Sequence, residues 1–129
     1  MGSADLSRKS ILIVDDDFGI RSNLRKLFEG EGYSVVLTIH GQAALDFLTG
    51  SPTSPPGVIL LDLMMPVMDG PTFLQELRRL QPEMFAHIPV FLVSAGLNTH
   101  RITPYATGYL NKPFNLDELS RIAARYCSG

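Results

Sequence analysis

The feature that most constrains this chain is an uninterrupted apolar run at residues 58–61 that ends on Asp62. A run this short and this apolar predicts a strand that is buried on both faces, as the strands of a parallel sheet are. Asp62 would then stand where that strand meets the following loop. Because open parallel sheets bind ligands at the carboxyl ends of their strands, Asp62 indicates where a functional site belongs.

Four further segments have the character of strands, and helical segments alternate with them. The predicted strands cover residues 10–14, 33–38, 88–95 and 109–113. Apolar residues recur at helical spacing after Asp17, over residues 41–49, after Pro71 and after Asn115. This alternation predicts a single α/β domain with a parallel sheet and helices on both faces.

The composition excludes several classes of protein. The 129 residues suffice for one domain, and 45% hydrophobic with 19% charged residues is a globular balance. A net charge of −2 gives no electrostatic case for direct nucleic-acid binding. The apolar runs are too short for membrane insertion, and the single Cys127 excludes an internal disulfide. We expect a cytoplasmic domain over residues 9–127, preceded by a disordered tail or a vector remnant at 1–8.

The predicted strand ends carry residues that suit phosphate chemistry. The first strand ends on Asp15 and Asp16, the third on Asp62, the fourth on Ser94 and the fifth on Lys112. Carboxylates that converge at one edge repel each other, so their pKa values rise or a cation binds. Oxygen ligands suit Mg²⁺, and a carboxylate beside Mg²⁺ can act as a nucleophile towards phosphorus. The hydroxyl and the ammonium would neutralise charge on a phosphoryl group.

Taken together, these motifs resemble the receiver domain of two-component response regulators, of the chemotaxis-regulator type. The resemblance covers residues 9–127 and rests on the acidic pair, the segment 62–70, Ser94-Ala95 and Lys112-Pro113-Phe114. It implies a flavodoxin-like, doubly wound fold with a five-stranded parallel sheet in the order 2-1-3-4-5.

The resemblance also implies roles for particular residues. Asp62 would be the phosphoacceptor, and Mg²⁺, for which Mn²⁺ could substitute, would be held by Asp15, Asp16, Asp62 and the backbone carbonyl of Met64. Ser94 and Lys112 would bind the phosphoryl group. Ser94 and Tyr109 would form the conformational switch.

The segment before Lys112 departs from the family pattern. Lys112 follows Ser94 by 18 residues, which is about four residues, or one helical turn, fewer than is usual. Residues 96–105 also lack an apolar stripe and contain Pro104, which breaks helices. We therefore expect the fourth helix, between the last two strands, to be shortened or irregular.

The leading hypothesis is a phosphorelay signalling domain, not a metabolic enzyme. A sensor histidine kinase or a histidine phosphotransfer protein would phosphorylate Asp62, and the domain would switch an output partner that the sequence does not name. One alternative is a degenerate receiver that binds proteins without phosphorylation. A more remote one is an aspartyl-phosphate phosphatase, although Met64 stands where that class has a second acid. A flavin mononucleotide binder is disfavoured because three consecutive aspartates follow the first strand and would repel the phosphate.

Overall fold

The computed structural model describes residues 9–50, 55–65, 67–95 and 106–127. Within these ranges the strands are β1 (Ile11–Val14), β2 (Val35–Thr38), β3 (Val58–Asp62), β4 (Val90–Ser94) and β5 (Gly108–Asn111). The helices there are α1 (Phe18–Gly30), α2 (Gly41–Thr49), α3 (Gly70–Leu80), α4 (Pro82–His87) and α5 (Leu116–Cys127). In the described part of the chain, no helix is long and apolar enough to span a membrane.

All five strands pair in parallel in the order β2-β1-β3-β4-β5, which confirms the predicted flavodoxin-like topology. Every residue of β1 and β3 is buried, so the unbroken apolar runs reflect central strands covered on both faces. Val14 is in register with Leu61, and Asp62 with Val93. The strands therefore end at one common edge of the sheet.

The core has two layers, one on each face of the sheet. Alternate residues of the central strands point to opposite faces, as the pleat requires. On one face, Leu12 and Ile59 belong to the cluster that α2, α3 and α4 cover. On the other face, Ile11 and Leu60 belong to the cluster that α1 and α5 cover. This second layer includes Cys127, which is fully buried at the end of α5.

Short polar side chains cap three of the helices. Asp17 Oδ1 accepts from the Ile20 N–H at 3.0 Å at the start of α1, and Asp69 Oδ1 accepts from the Thr72 N–H at 2.9 Å at the start of α3. Asn115 Oδ1 accepts from the Glu118 N–H at 3.0 Å at the start of α5. These caps supply acceptors for backbone donors that have no partner inside the helix.

The structure also differs from the predicted elements. Two strands begin later than predicted, β2 at Val35 instead of residue 33 and β4 at Val90 instead of residue 88. Pro82 begins a helix, α4, that the sequence pattern does not predict, and proline is tolerated there because it stands in the first turn. The predicted irregular helix at 96–105 and the predicted tail at 1–8 lie outside the described residues.

Candidate functional site

Three carboxylates meet at the edge of the sheet where the strands end. Asp15 directly follows β1, Asp16 comes next, and Asp62 is the last residue of β3. One oxygen from each carboxylate can be chosen so that all three lie within 4.8 Å of one another. Asp15 and Asp62 are buried, whereas Asp16 is exposed. The parallel pairing of β1 and β3 thus brings Asp16 and Asp62, which are 46 residues apart in the sequence (62 − 16), into one acidic cluster.

Asp15 is held at four points. Its N–H donates to the Thr38 carbonyl at 3.1 Å, and its carbonyl accepts from Arg21 Nη1 at 2.8 Å. Its carboxylate accepts from the Asp17 N–H through Oδ1 at 2.9 Å, and Oδ2 lies 3.2 Å from Lys112 Nζ. The loop that carries the acidic pair is therefore fixed to β2, α1 and the end of β5.

Lys112 reaches two acids from a different strand end. Its backbone N–H donates to the Ser94 carbonyl at 2.9 Å, which places the residue beside the end of β4. Its ammonium lies 3.2 Å from Asp15 Oδ2 and 3.6 Å from Asp62 Oδ2. A single cation is thus shared between two carboxylates, and only 19% of its side chain is exposed.

The pKa of the Asp62 carboxyl group lies well above the ordinary value for an aspartate. Burial, followed by repulsion from Asp15, raises this pKa to about 6. The Lys112 ammonium and the Met64 N–H, which donates to Asp62 Oδ1 at 3.3 Å, act in the opposite direction. Asp16 adds a smaller upward contribution. The charged form of Asp62 is therefore insufficiently compensated, as expected of a site that binds a cation.

The loop from β3 to α3 is tightly bent beside Asp62. Val67 has a φ of 70°, in the left-handed region that β-branched residues rarely adopt. The Gly70 N–H donates to the Leu63 carbonyl at 3.1 Å. A Cβ at Gly70 would lie only 3.1 Å from the Asp62 carbonyl oxygen. Asp69 and Gly70 thus return the chain close to the strand end.

Ser94 and Tyr109, predicted as switch residues, lie on neighbouring strands. Ser94 is buried and is the last residue of β4, so it shares the edge with Asp62 and Lys112. Tyr109 is half-buried in β5, in register with Leu92, and packs against the α2–α3 side of the core. Burial raises the pKa of the Tyr109 phenol. Met64 lies in the β3–α3 loop with an exposed side chain.

The donor set suits a hard divalent cation. All side-chain ligands available in the acidic cluster are carboxylate oxygens, which Mg²⁺ and Mn²⁺ prefer, and one acid is exposed so that a cation would retain water. Three contacts of Asp15 were not predicted from the sequence, namely those with Thr38, Arg21 and Asp17. Arg21 follows Asp17 by four residues, about one helical turn, and this spacing is the local signal that its side chain can reach back towards the loop.

Comparison with known proteins defines the class. The sequence model described as the response regulator receiver domain matches residues 11–124, so the chain belongs to this family of signalling modules. It is 38% identical to the response regulator Rre1 of Synechocystis sp., over 88% of this chain and 49% of that protein. It is 30% identical to sporulation initiation phosphotransferase F of Bacillus subtilis, over 94% of this chain and 95% of that protein.

The fold agrees with this class. The receiver domain of a sensor histidine kinase from Pseudomonas aeruginosa PAO1 matches with a TM-score of 0.78 and 28% identity, over 92% of this chain and 97% of that one. A magnesium ion is coordinated in the active site cleft of that structure. The chain spans about half the length of several curated relatives that it matches, among them Rre1.

Proposed function

We propose that this receiver domain accepts a phosphoryl group on Asp62 from a phosphohistidine. The donor would be a sensor histidine kinase or a histidine phosphotransfer protein. The observation that carries the proposal is the shared contact of the Lys112 ammonium with Asp15 and Asp62 inside a cluster of three carboxylates. Such a cluster combines a nucleophile, a cation and ligands for a second cation in one place.

Asp62 supplies the nucleophile. A carboxylate oxygen of Asp62 forms a bond to phosphorus while the bond from phosphorus to the imidazole nitrogen breaks, and the electron pair remains on the histidine of the donor. A pKa of about 6 leaves most of Asp62 ionised at pH 7 while keeping it more basic than an ordinary aspartate. Attack by water on the phosphorus later returns Asp62 and inorganic phosphate.

Asp15, Asp16, Asp62 and the backbone carbonyl of Met64 would hold Mg²⁺ or Mn²⁺. When bound, the ion neutralises charge on the phosphoryl oxygens. The Asp15 carboxylate already accepts a hydrogen bond from the Asp17 N–H, and Asp16 is exposed to solvent. The magnesium ion in the related Pseudomonas receiver supports this assignment.

Lys112 and Ser94 would respond to the new charge. Lys112 already contacts Asp62, so its ammonium needs only a small movement to pair with a phosphoryl oxygen. The Ser94 hydroxyl, at the end of the adjacent strand, would donate to another phosphoryl oxygen. Tyr109, half-buried on the next strand, would change its packing when Ser94 moves, and this shift between two conformations would be read by the output partner.

Intact mass after incubation with acetyl phosphate tests the proposal. We expect a gain of one phosphoryl group that requires Mg²⁺ and is absent in Asp62→Asn. The matched control is Asp69→Asn, because Asp69 caps α3 in the same part of the chain and asparagine caps equally well.

The opposite result has a clear meaning. If the wild type gains no mass although calorimetry shows that it binds Mg²⁺, the phosphoacceptor role is wrong. The domain would then act as a protein-binding module that does not need phosphorylation. A gain that persists in Asp62→Asn would place the phosphoryl group on another residue.

A further inference from the structure

Arg21 makes a contact at the acidic cluster that the proposed chemistry does not use. The residue lies in the first turns of α1, and its Nη1 donates to the backbone carbonyl of Asp15 at 2.8 Å. That carbonyl belongs to the peptide unit that joins Asp15 to Asp16. The guanidinium therefore holds the connection between the two acids and leaves their carboxylate oxygens available.

The hydrogen bond from Arg21 holds the peptide unit between Asp15 and Asp16 through the Asp15 carbonyl. The other contacts described for Asp15 hold its N–H and its carboxylate. Asp15 is anchored by Thr38 through its N–H and by Asp17 through Oδ1. Asp16 is exposed, and its carboxylate makes no hydrogen bond to any residue that the structure describes. Its direction is therefore determined by the backbone that carries it, and the plane of that peptide is the one that Arg21 holds.

We propose that Arg21 is a positioning residue for the divalent-cation site, because its bond to the Asp15 carbonyl orients Asp16 towards Asp62. This inference rests on the proposed function and deepens it by adding a residue that lies outside the set of ligands. The guanidinium carbon of Arg21 also lies 5.9 Å from the centroid of the exposed Phe18 ring, at the distance of a cation–π contact.

The charge of Arg21 and its positioning role should change the Mg²⁺ affinity in opposite directions, so a binding measurement can distinguish them. A positive charge beside the acids repels a divalent cation, so its removal would by itself tighten Mg²⁺ binding. If Arg21 acts by holding the peptide, its removal weakens binding instead. Loss of a group that orients a metal ligand typically costs about 10- to 100-fold in metal affinity.

The experiment compares Arg21→Met with Arg25→Met by isothermal titration with Mg²⁺ in the absence of any phosphodonor. Arg25 lies one turn later on α1 and pairs with Glu29 at the surface, so it is a matched control for loss of an arginine from this helix. We expect about 10- to 100-fold weaker binding in Arg21→Met and a change of less than about twofold in Arg25→Met. Thermal unfolding in EDTA shows whether each variant is folded.

A conservative variant keeps the proposal falsifiable if Arg21→Met does not fold, and a spectroscopic signal tests the folded Arg21→Met protein directly. The ammonium of Arg21→Lys still donates to the Asp15 carbonyl, so its Mg²⁺ affinity should stay within about threefold of wild type. The ¹⁵N resonance of the Asp16 amide, which senses hydrogen bonding at the preceding carbonyl, should shift in Arg21→Met and not in Arg25→Met. Unchanged or tighter Mg²⁺ binding in Arg21→Met, or equal loss in Arg21→Lys, would overturn the inference.

Failure of this inference is distinct from failure of the proposed function. If the wild type gains a phosphoryl group and Arg21→Met binds Mg²⁺ normally, only the positioning role is wrong. If Arg21→Met loses Mg²⁺ affinity but the wild type gains no phosphoryl group, the positioning role stands and phosphotransfer to Asp62 is wrong. A wild type that binds no Mg²⁺ overturns the positioning role.

Discussion

The ammonium of Lys112 lies 3.2 Å from Asp15, and this contact joins the end of β5 to the end of β1 across the width of β3 and β4. The same ammonium is 3.6 Å from Asp62, so one cation serves two buried carboxylates. This leaves the Asp62 carboxylate only partly compensated, in agreement with its raised pKa of about 6. The site is therefore poised to bind a further cation.

Replacement of Lys112 should affect stability and metal binding in opposite directions. In Lys112→Met at pH 7 in EDTA, two buried carboxylates lose their cation, so we expect the free energy of unfolding to fall by about 1–3 kcal/mol. Mg²⁺ should bind more tightly, because no ammonium competes for Asp15 and Asp62. Chemical denaturation and calorimetry measure the two effects. The exposed Lys26→Met on α1 is the control and should change neither quantity.

The pKa of Asp62 predicts how the stability of the metal-free protein depends on pH. Its folded pKa of about 6 lies above the ordinary aspartate value of 3.8, so the folded state binds more protons than the unfolded state between these values. Below about pH 4, Asp62 therefore does not lower the free energy of unfolding. Its destabilising effect grows as the pH rises and the carboxyl group ionises, and it is complete above about pH 6. In EDTA, Asp62→Asn should be more stable than wild type above pH 6, by on the order of 1–2 kcal/mol.

Denaturation curves at intervals from pH 4 to pH 8 test this expectation. The difference between Asp62→Asn and wild type should be small at pH 4 and should grow up to pH 6. Asp69→Asn, at an exposed helix cap, should show no such growth. A constant difference across the range would mean that the Asp62 carboxylate is adequately compensated in the folded state.

The fold was predictable because its main signals are local. Buried parallel strands read as short apolar runs, and the residues after Val14 and Leu61 show where those runs end. Parallel topology then brings the strand ends together without any knowledge of side-chain geometry. The sequence alone therefore suffices to group Asp15, Asp16 and Asp62 at one edge of the sheet.

What the sequence did not reveal depends on long-range geometry or on unusual local chemistry. The sharing of Lys112 between two acids and the reach of Arg21 to a carbonyl depend on distances that no periodicity encodes. The cap of α2 is His40, whose Nδ1 accepts from the Ala43 N–H at 3.1 Å, a role usually taken by shorter side chains. The helix α4 has only six residues, too few to show a periodic pattern.

Gly57 should be intolerant of any side chain. A Cβ at this position would lie 2.6 Å from the Tyr126 carbonyl oxygen and 3.0 Å from Cys127 Sγ, where β3 begins against the end of α5. Gly57→Ala must therefore displace α5, and we expect a loss of about 2–3 kcal/mol in the free energy of unfolding. Gly30→Ala is the control, because a Cβ there meets nothing within 4 Å and alanine favours the helix. Equal stability of the two variants would contradict the close approach at Gly57.

Val67 should be a site where a less hydrophobic residue stabilises the protein. Its φ of 70° is unfavourable for a β-branched side chain. Because this side chain is 78% exposed, its replacement removes little buried apolar surface. Asparagine adopts the left-handed region more readily, so Val67→Asn should raise the free energy of unfolding by about 1 kcal/mol. Val67→Ile, which keeps the β-branch, should remain within about 0.5 kcal/mol of wild type. Chemical denaturation in EDTA measures both variants, and a Val67→Asn protein no more stable than Val67→Ile would show that the loop beside Asp62 carries no such strain.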